Sequence, residues 1–245
     1  MDLVIDIGNN RQKIAVFDTA GEMLHRQTYS SLSKEDIIDT LYTYDIRRSI
    51  LSTVTDRNTE LERFLQFSSE YHLFTHASKL PIQLCYDTPQ TLGLDRIACA
   101  VAAHQLYSRH NCLIVQAGTC LVLDFIDSAG NYYGGSISPG LNMRLAALQH
   151  YTANLPATPL EKIDYFLGQT TQQSIKSGVI NGAIYEIEGF IKAYQSRYKM
   201  LKVLITGGDG EFLQKSVKNS IFAGSNFVLK GLHKILQLNA ENILA

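Results

Sequence analysis

Val4-Ile5-Asp6-Ile7-Gly8-Asn9 opens a pattern that returns more than a hundred residues later as Ile114-Val115-Gln116-Ala117-Gly118-Thr119. Each is an apolar run that stops at a polar residue and a glycine. The first copy continues into a second apolar stretch, Ile14 to Phe17, and then Asp18-Thr19-Ala20-Gly21. The second continues into Leu121 to Ile126 and then Asp127-Ser128-Ala129-Gly130. Each copy reads as a buried strand, a glycine-containing tight turn, a second strand, and a four-residue turn into a third. Two copies of a three-strand meander predict two related halves, joined near residues 109–112.

Between and after these copies the pattern turns helical. Ser33-Lys34-Glu35-Asp36 reads as a helix start, followed by an apolar stripe of Ile37, Ile38, Leu41 and Tyr42. A short strand, Ile50 to Val54, precedes a helix over roughly Thr59 to Glu70, and a further helix begins near Leu94. In the second half Pro139-Gly140 opens a helix through Leu148, and Thr171 to Tyr198 is a long helix. Val203 to Thr206 is a strand running into Gly207-Gly208, and a last helix starts near Lys230. Strands first, then alternating helices and strands, twice over, predict an α/β chain with domains over 1–110 and 111–245.

Hydrophobic residues make up 45% and charged residues 18% of the 245, which excludes a disordered chain. A formal net charge of −1 supplies no field for nucleic acid or an anionic membrane. Cys85, Cys99, Cys112 and Cys120 form no CxxC pair, so free, mostly buried thiols in a reducing compartment are expected. The first residues lack a basic stretch and carry Asp6 inside their apolar run, unlike a signal peptide. The run Ile97 to Ala103 is far too short to span a bilayer. A soluble cytoplasmic protein is the expectation.

Four stretches can carry chemistry. In Asp6-Ile7-Gly8-Asn9 a carboxylate ends a buried strand, and the glycine lets backbone approach an anion; Asp6 could hold Mg²⁺ through oxygen. A hairpin turn with a solvated aspartate would look the same, although the echo at Gln116 to Thr119 favours two turns clamping a polyphosphate. In Gly93-Leu94-Asp95-Arg96 the acid falls in the first turn of a helix, where the macrodipole favours its ionised form. Such a carboxylate can accept the proton of an attacking alcohol, and Arg96 can bind a carboxylate or phosphate. Ordinary capping by Asp95 beside a surface arginine is the plainer alternative. Gly134-Gly135-Ser136-Ile137-Ser138-Pro139-Gly140 reads as a loop into a helix, able to face an anion or simply to turn. Thr206-Gly207-Gly208 would admit a flat adenine, or merely start a helix. Gly178, Gly182 and Gly189 interrupt the long helix and suit close helix–helix packing, between subunits for instance.

Taken in order, these stretches resemble the type III pantothenate kinase family, including its Bvg accessory factor-like members. The resemblance rests on Asp6-x-Gly-Asn, Gly93-x-Asp-Arg, Ala117-Gly118-Thr119, Gly134-Gly135-x-Ile137-x-Pro139-Gly140, Thr152-Ala153-x-Leu155-Pro156, Ser177-Gly178, Thr206-Gly207-Gly208 and Leu229-Lys230-Gly231-Leu232. It spans nearly the whole chain. It implies two duplicated ribonuclease-H-like domains facing across a cleft, the architecture of the actin, sugar kinase and heat-shock ATPase superfamily. It also implies ATP-dependent phosphorylation of pantothenate, the first step towards coenzyme A, in a homodimer.

Position by position, the resemblance places ATP on Asp6, Ile7, Gly8, Asn9, Asn10, Arg11, Gln12 and Lys13 in the first hairpin, and on Thr119 in the second. It places pantothenate on Tyr86, on Gly93, Leu94, Asp95 and Arg96, and on Thr171 in a site completed by a second subunit. Asp95 is the implied proton acceptor. Mg²⁺ with ATP, at Asp6, and a monovalent cation, K⁺ or NH₄⁺, are the implied cofactors. Two positions depart from the family. Asn10 stands where the family has threonine, and Gln116 stands where it has the aspartate that binds the monovalent cation. On those two residues rests the alternative, a catalytically weak regulatory or nucleotide-binding homologue.

Overall fold

The computed structural model describes residues 1–8, 11–55, 58–218, 220–222, 224 and 226–240. Strands β1 (Asp2–Ile7), β2 (Gln12–Phe17) and β3 (Met23–Tyr29) form the first meander, followed by α1 (Lys34–Thr43), β4 (Arg48–Thr53), α2 (Thr59–Ser68) and β5 (Glu70–Leu73). A short strand β6 (Gln83–Leu84) and a 3₁₀ turn lead to α3 (Leu94–Leu106). The second meander is β7 (Asn111–Ala117), β8 (Cys120–Ile126) and β9 (Asn131–Pro139), followed by α4 (Leu141–Tyr151), α5 (Thr171–Arg197), β10 (Leu201–Thr206), α6 (Gly210–Gln214), β11 (Ile221–Phe222) and α7 (Phe227–Ala240).

The duplication read from the sequence holds at the level of topology. In the first sheet the strand order is β3-β2-β1-β4-β5, and in the second β9, β8, β7, β10 and β11 follow one another in the same way. The leading strand of each copy is antiparallel to its hairpin partner and parallel to the strand on its other side. Both leading strands are buried on two faces, which is why they read as almost continuous apolar runs.

The chain divides into two compact units, one of residues 1–106 with 227–245 and one of residues 107–226. This corrects the expected 111–245 domain, because α7 packs on the first unit. In that unit Leu3, Ile5, Ile7, Ile14, Val16 and Leu51 meet Ile37 of α1 and Leu61 and Leu65 of α2 on one sheet face. A capping box between Ser33 and Asp36 starts α1, contributing on the order of 1 kcal/mol. Helices α3 and α7 cover the opposite face. They cross closely: a Cβ on Gly231 would stand 1.8 Å from the Ala98 carbonyl oxygen, so only glycine admits this approach. At the far end of β1 the buried Asp2 carboxylate ties α7 to the sheet. It accepts two bonds from Arg48, at 2.8 and 2.6 Å, and pairs with His233 Nε2 at 2.9 Å. Burial pushes the Asp2 pKa up, but bonds from His233 and Arg48 overcome it and hold the carboxyl below its ordinary value.

In the second unit Leu113, Val115, Leu121, Leu123, Val203 and Ile205 of the sheet pack on Leu141 and Leu145 of α4 and Ile175, Val179, Ala183 and Ile187 of α5. One expectation fails here. Residues 134–139 are not a loop but the end of β9, paired with β8 from Ile126↔Tyr132 to Cys120↔Pro139. The glycine signal was real but misread: a Cβ on Gly135 would lie 1.7 Å from the Leu123 carbonyl oxygen, so the glycine serves strand contact. None of the four cysteines is in a disulfide; Cys99 and Cys112 are buried, whereas Cys85 is exposed.

Candidate active site

The first unit gathers four polar side chains where β1 ends. Asp6 lies beside Lys13 of β2 and beside Ser52 of β4 in the ladder. Residues directly paired across strands project to the same face, so all three share the face that α3 and α7 cover. Asp95, in the first turn of α3, is close enough to act on Asp6 through its charge. Burial pushes the Asp6 pKa up to about 6; Lys13 opposes that rise and Asp95 adds to it. Asp6 is therefore a buried carboxylate whose raised pKa comes chiefly from lost hydration, with a lysine and a second carboxylate close enough to act on it, and an incoming cation would favour its ionised form.

Asp95 and Arg96 form the mouth of α3. The Arg96 backbone N–H donates to Asp95 Oδ1 at 2.9 Å, fixing the carboxylate at the helix start. Arg96 is only 7% exposed, which rules out the surface-arginine alternative. Its guanidinium lies over the Tyr86 ring, 5.9 Å from the centroid, so two of the expected pantothenate residues meet. Gly93 precedes them, and Leu94 begins the helix. In the turn below, Gly8 N–H donates to the Arg11 carbonyl at 3.1 Å. Gln12 uses its side chain structurally, accepting from Leu32 N–H at 2.7 Å. Asn9 and Asn10 lie outside the described residues.

The second unit carries the other expected contacts. Gly118-Thr119 is the tip between β7 and β8, with Gly118 N–H donating to the Cys120 carbonyl at 3.0 Å and Thr119 exposed. The Gly140 N–H donates to the Thr119 carbonyl at 3.1 Å, and Asp209 N–H to the Ala117 carbonyl at 3.0 Å, so backbone braces the tip twice. Gly207 has φ +97°, and a Cβ there would stand 2.1 Å from the Ala117 carbonyl oxygen. Gln116 Nε2 donates to Asp124 Oδ2 at 3.5 Å, and Asp124 is fully buried. Thr171 is exposed at the first residue of α5, capped by Thr170.

Ser52 is the group that sequence reading passed over. Its hydroxyl is buried and has no hydrogen-bond partner among the described residues. The signal was a serine inside the apolar run Ile50-Leu51-Ser52-Thr53-Val54, too slight to read without the ladder that sets it beside Asp6. Among the described residues no three His, Cys, Asp or Glu side chains gather into a metal cage. Magnesium does not need one, because it is commonly held by one or two carboxylates together with substrate phosphates. Asp6 fits that role.

The repeated three-strand meander and its matching strand order define a duplicated ribonuclease-H-like fold with a charged strand end. Comparison with known proteins narrows the class. The sequence profile of type III pantothenate kinase matches residues 2–193. The type III pantothenate kinase of Flavobacterium johnsoniae is 40% identical over 244 residues, covering 99% of this chain and 100% of that protein. That of Christiangramia forsetii is 42% identical, covering 98% and 99%. Among solved structures, a conserved Campylobacter jejuni protein assigned to the Baf family of transcriptional activators superposes with a TM-score of 0.63 at 24% identity, over 99% of this chain and 100% of that one. The activator of the 2-hydroxyisocaproyl-CoA dehydratase from Clostridium difficile, with bound ADPNP, gives 0.54 at 10% identity, over 99% and 96%. These two share the fold. The chain belongs to the type III pantothenate kinase family.

Proposed function

We propose that this protein transfers the γ-phosphoryl group of ATP to the alcohol of pantothenate, giving 4′-phosphopantothenate for coenzyme A synthesis. The observation that carries this reading is the cluster of Asp6, Lys13 and Asp95 at one strand end, in a chain of this family. Phosphoryl transfer asks a protein mainly for positioning and charge stabilisation, since the transition state is loose. Asp95 orients the attacking hydroxyl and accepts its proton. Arg96, held over Tyr86, pairs with the pantothenate carboxylate. Lys13 and the N–H groups of the first hairpin receive phosphate oxygens, and the family resemblance assigns a nucleotide contact to Thr119 as well. Asp6 holds Mg²⁺, which supplies neutralisation of phosphate charge when bound.

Two finer features belong to the same reading. The protein acts as a homodimer in the cytoplasm, with the long helix at the interface and Thr171 reaching the partner's pantothenate. In support, a Cβ on Gly178, Gly182 or Gly189 would meet nothing within 4 Å, and Tyr151, Phe166 and Leu167 are 82%, 71% and 74% exposed. Light scattering should return a dimer; a stable, fully active monomer would refute it. Among the described residues no helix is long and apolar enough to cross a membrane.

The deciding experiment is a coupled ADP-release assay with and without pantothenate, repeated in K⁺, NH₄⁺ and Na⁺. Pantothenate-dependent turnover is expected. Turnover that ignores pantothenate would sink the reading, and nucleotide binding without turnover would favour the regulatory homologue suggested by Gln116.

A further inference from the structure

We propose that Ser52 is a nucleotide-side residue of this site, its hydroxyl placed to bond an oxygen of a metal-bound nucleoside triphosphate seated at Asp6. The proposal rests on the kinase reading above. Three observations converge on it. Ser52 is fully buried, yet its Oγ has no partner among the described residues. The parallel ladder pairs Ser52 with Asp6, and the hairpin pairs Asp6 with Lys13, so the hydroxyl shares their face. The duplication also supplies an internal control. Gln116 occupies the position of Asp6 in the second copy, and its parallel neighbour on β10 is Thr206. That hydroxyl is bonded: Thr206 Oγ1 donates to the Gly224 carbonyl at 2.6 Å.

Nearly all buried polar atoms in proteins are bonded, because leaving one unpaired is costly to stability. The same strand obeys this rule elsewhere, since the buried Ser49 hydroxyl shares a 2.6 Å bond with Ser69 Oγ. Ser52 breaks the rule where the expected catalytic charges meet. A hydroxyl can donate to a phosphate oxygen or accept from a water on the cation. Residues that lower the stability of the empty protein in this way are characteristic of ligand sites.

Ser52→Ala separates this role from a structural one. The ligand-free variant should melt at the wild-type temperature or above, because an unpaired buried hydroxyl has been removed. Its affinity for Mg-ATP by calorimetry should fall about tenfold, the loss of one bond to a charged group. The KM for pantothenate should stay unchanged. Ser49→Ala is the counterpart: it removes the bond to Ser69, whose hydroxyl keeps only its donation to the Leu65 carbonyl, so it should lower the melting temperature and spare Mg-ATP affinity. A Ser52→Ala protein that melts lower and binds Mg-ATP normally would overturn the proposal, as would a loss confined to pantothenate. If the wild-type protein itself fails to bind Mg-ATP, the kinase reading falls first. If it binds and turns over while Ser52→Ala matches it, only the role of Ser52 falls.

Discussion

The two hairpins of this protein share strand order and the place of the turn glycine after the leading strand, and differ in what their tips are made of. The first tip is electrostatic. It joins Asp6, Lys13 and Asp95 to a serine hydroxyl that has no partner among the described residues, and burial pushes the Asp6 pKa up to about 6. The second tip is a backbone cradle. Its charged position has become Gln116, its parallel hydroxyl is bonded, and bonds from Gly140 and Asp209 brace it. Beside its charged strand end the first copy sets a buried hydroxyl with no partner among the described residues, whereas the matching hydroxyl of the second copy is bonded. That division teaches where to look for chemistry and where for rigidity. Substitutions in the first copy should change rate more than stability, and those in the second should do the reverse.

The sharpest test of the first half of that statement is Asp95→Asn. The amide keeps the shape and can still accept the Arg96 N–H, but it cannot take a proton from the attacking hydroxyl. The turnover number should fall about 10²–10⁴-fold, while the melting temperature and Mg-ATP affinity stay near wild type. Near-native turnover in a steady-state assay would remove Asp95 from the mechanism and erase the contrast between the copies.

Gly207→Ala tests the second half. The residue has φ +97°, and the new Cβ would meet the Ala117 backbone on three atoms, the nearest at 2.1 Å. Left-handed strain and overpacking together should cost about 2–4 kcal/mol, read by denaturant unfolding. Gly118→Ala, at the tip itself, meets nothing within 4 Å and should spare stability. It should weaken nucleotide binding, because its methyl fills space that the ligand needs. Equal stability losses in both variants would mean that the cradle is not braced from behind.

Much of this was legible in the sequence because duplication writes itself twice. The two apolar-glycine stretches gave both meanders, and their equal strand order follows from two similar chains finding the same solution. Asp6, Lys13 and Asp95 were legible as a group only through family resemblance, since 88 residues of chain lie between the carboxylates. Two things were illegible for physical reasons. The glycines at 134 and 135 carry the same letters whether a chain turns or one strand crowds another, and the outcome depended on Leu123. The return of α7 to the first unit depended on Gly231 finding Ala98, a contact that leaves no periodic trace. Ser52 was hidden because a buried hydroxyl in an apolar strand is normally bonded, and no letter marks one that finds no partner among the described residues.

A smaller effect, and of opposite sign to most active-site changes, is expected at Asp6. Its carboxyl rises from 3.8 to about 6 on folding, so the folded chain holds this proton more tightly than the unfolded chain. Stability from this group is therefore complete below pH 3.8 and declines as pH rises to about 6. Asp6→Asn removes the penalty of ionising a buried acid, and should stabilise the ligand-free protein by about 1–3 kcal/mol at pH 7. It should also abolish the fall in melting temperature between pH 4 and 6 that this residue causes in the wild type. Metal-dependent nucleotide binding should weaken in the same variant. A destabilised Asp6→Asn with unchanged Mg-ATP affinity would return Asp6 to the role of an ordinary turn residue, and the first hairpin would lose its distinction from the second.

The smallest expected effect asks whether the second copy can be given back a charge. Gln116 occupies the position of Asp6 in the duplication, and its amide donates to the buried Asp124 at 3.5 Å. A carboxylate there would offer a monovalent cation both an oxygen and a neutralising charge, whereas the amide offers an oxygen at most. The missing attraction in a partly buried site is on the order of several kcal/mol before desolvation. Much of that is cancelled by the cost of burying the acid, so the net consequence is modest. The wild-type enzyme should therefore turn over at similar rates in K⁺, NH₄⁺ and Na⁺. Gln116→Asp places a second carboxylate beside Asp124, and two such charges cannot both stay ionised without a cation or a proton between them. With the pocket otherwise intact, the variant should gain a several-fold K⁺ stimulation of kcat/KM and a melting temperature that rises with added K⁺. With the pocket lost, it should only be destabilised, in every salt alike. Strong K⁺ stimulation of the wild type would refute the argument outright. It would mean that Asp124 or the backbone carbonyls hold the ion, and that the second hairpin carries charge chemistry of its own.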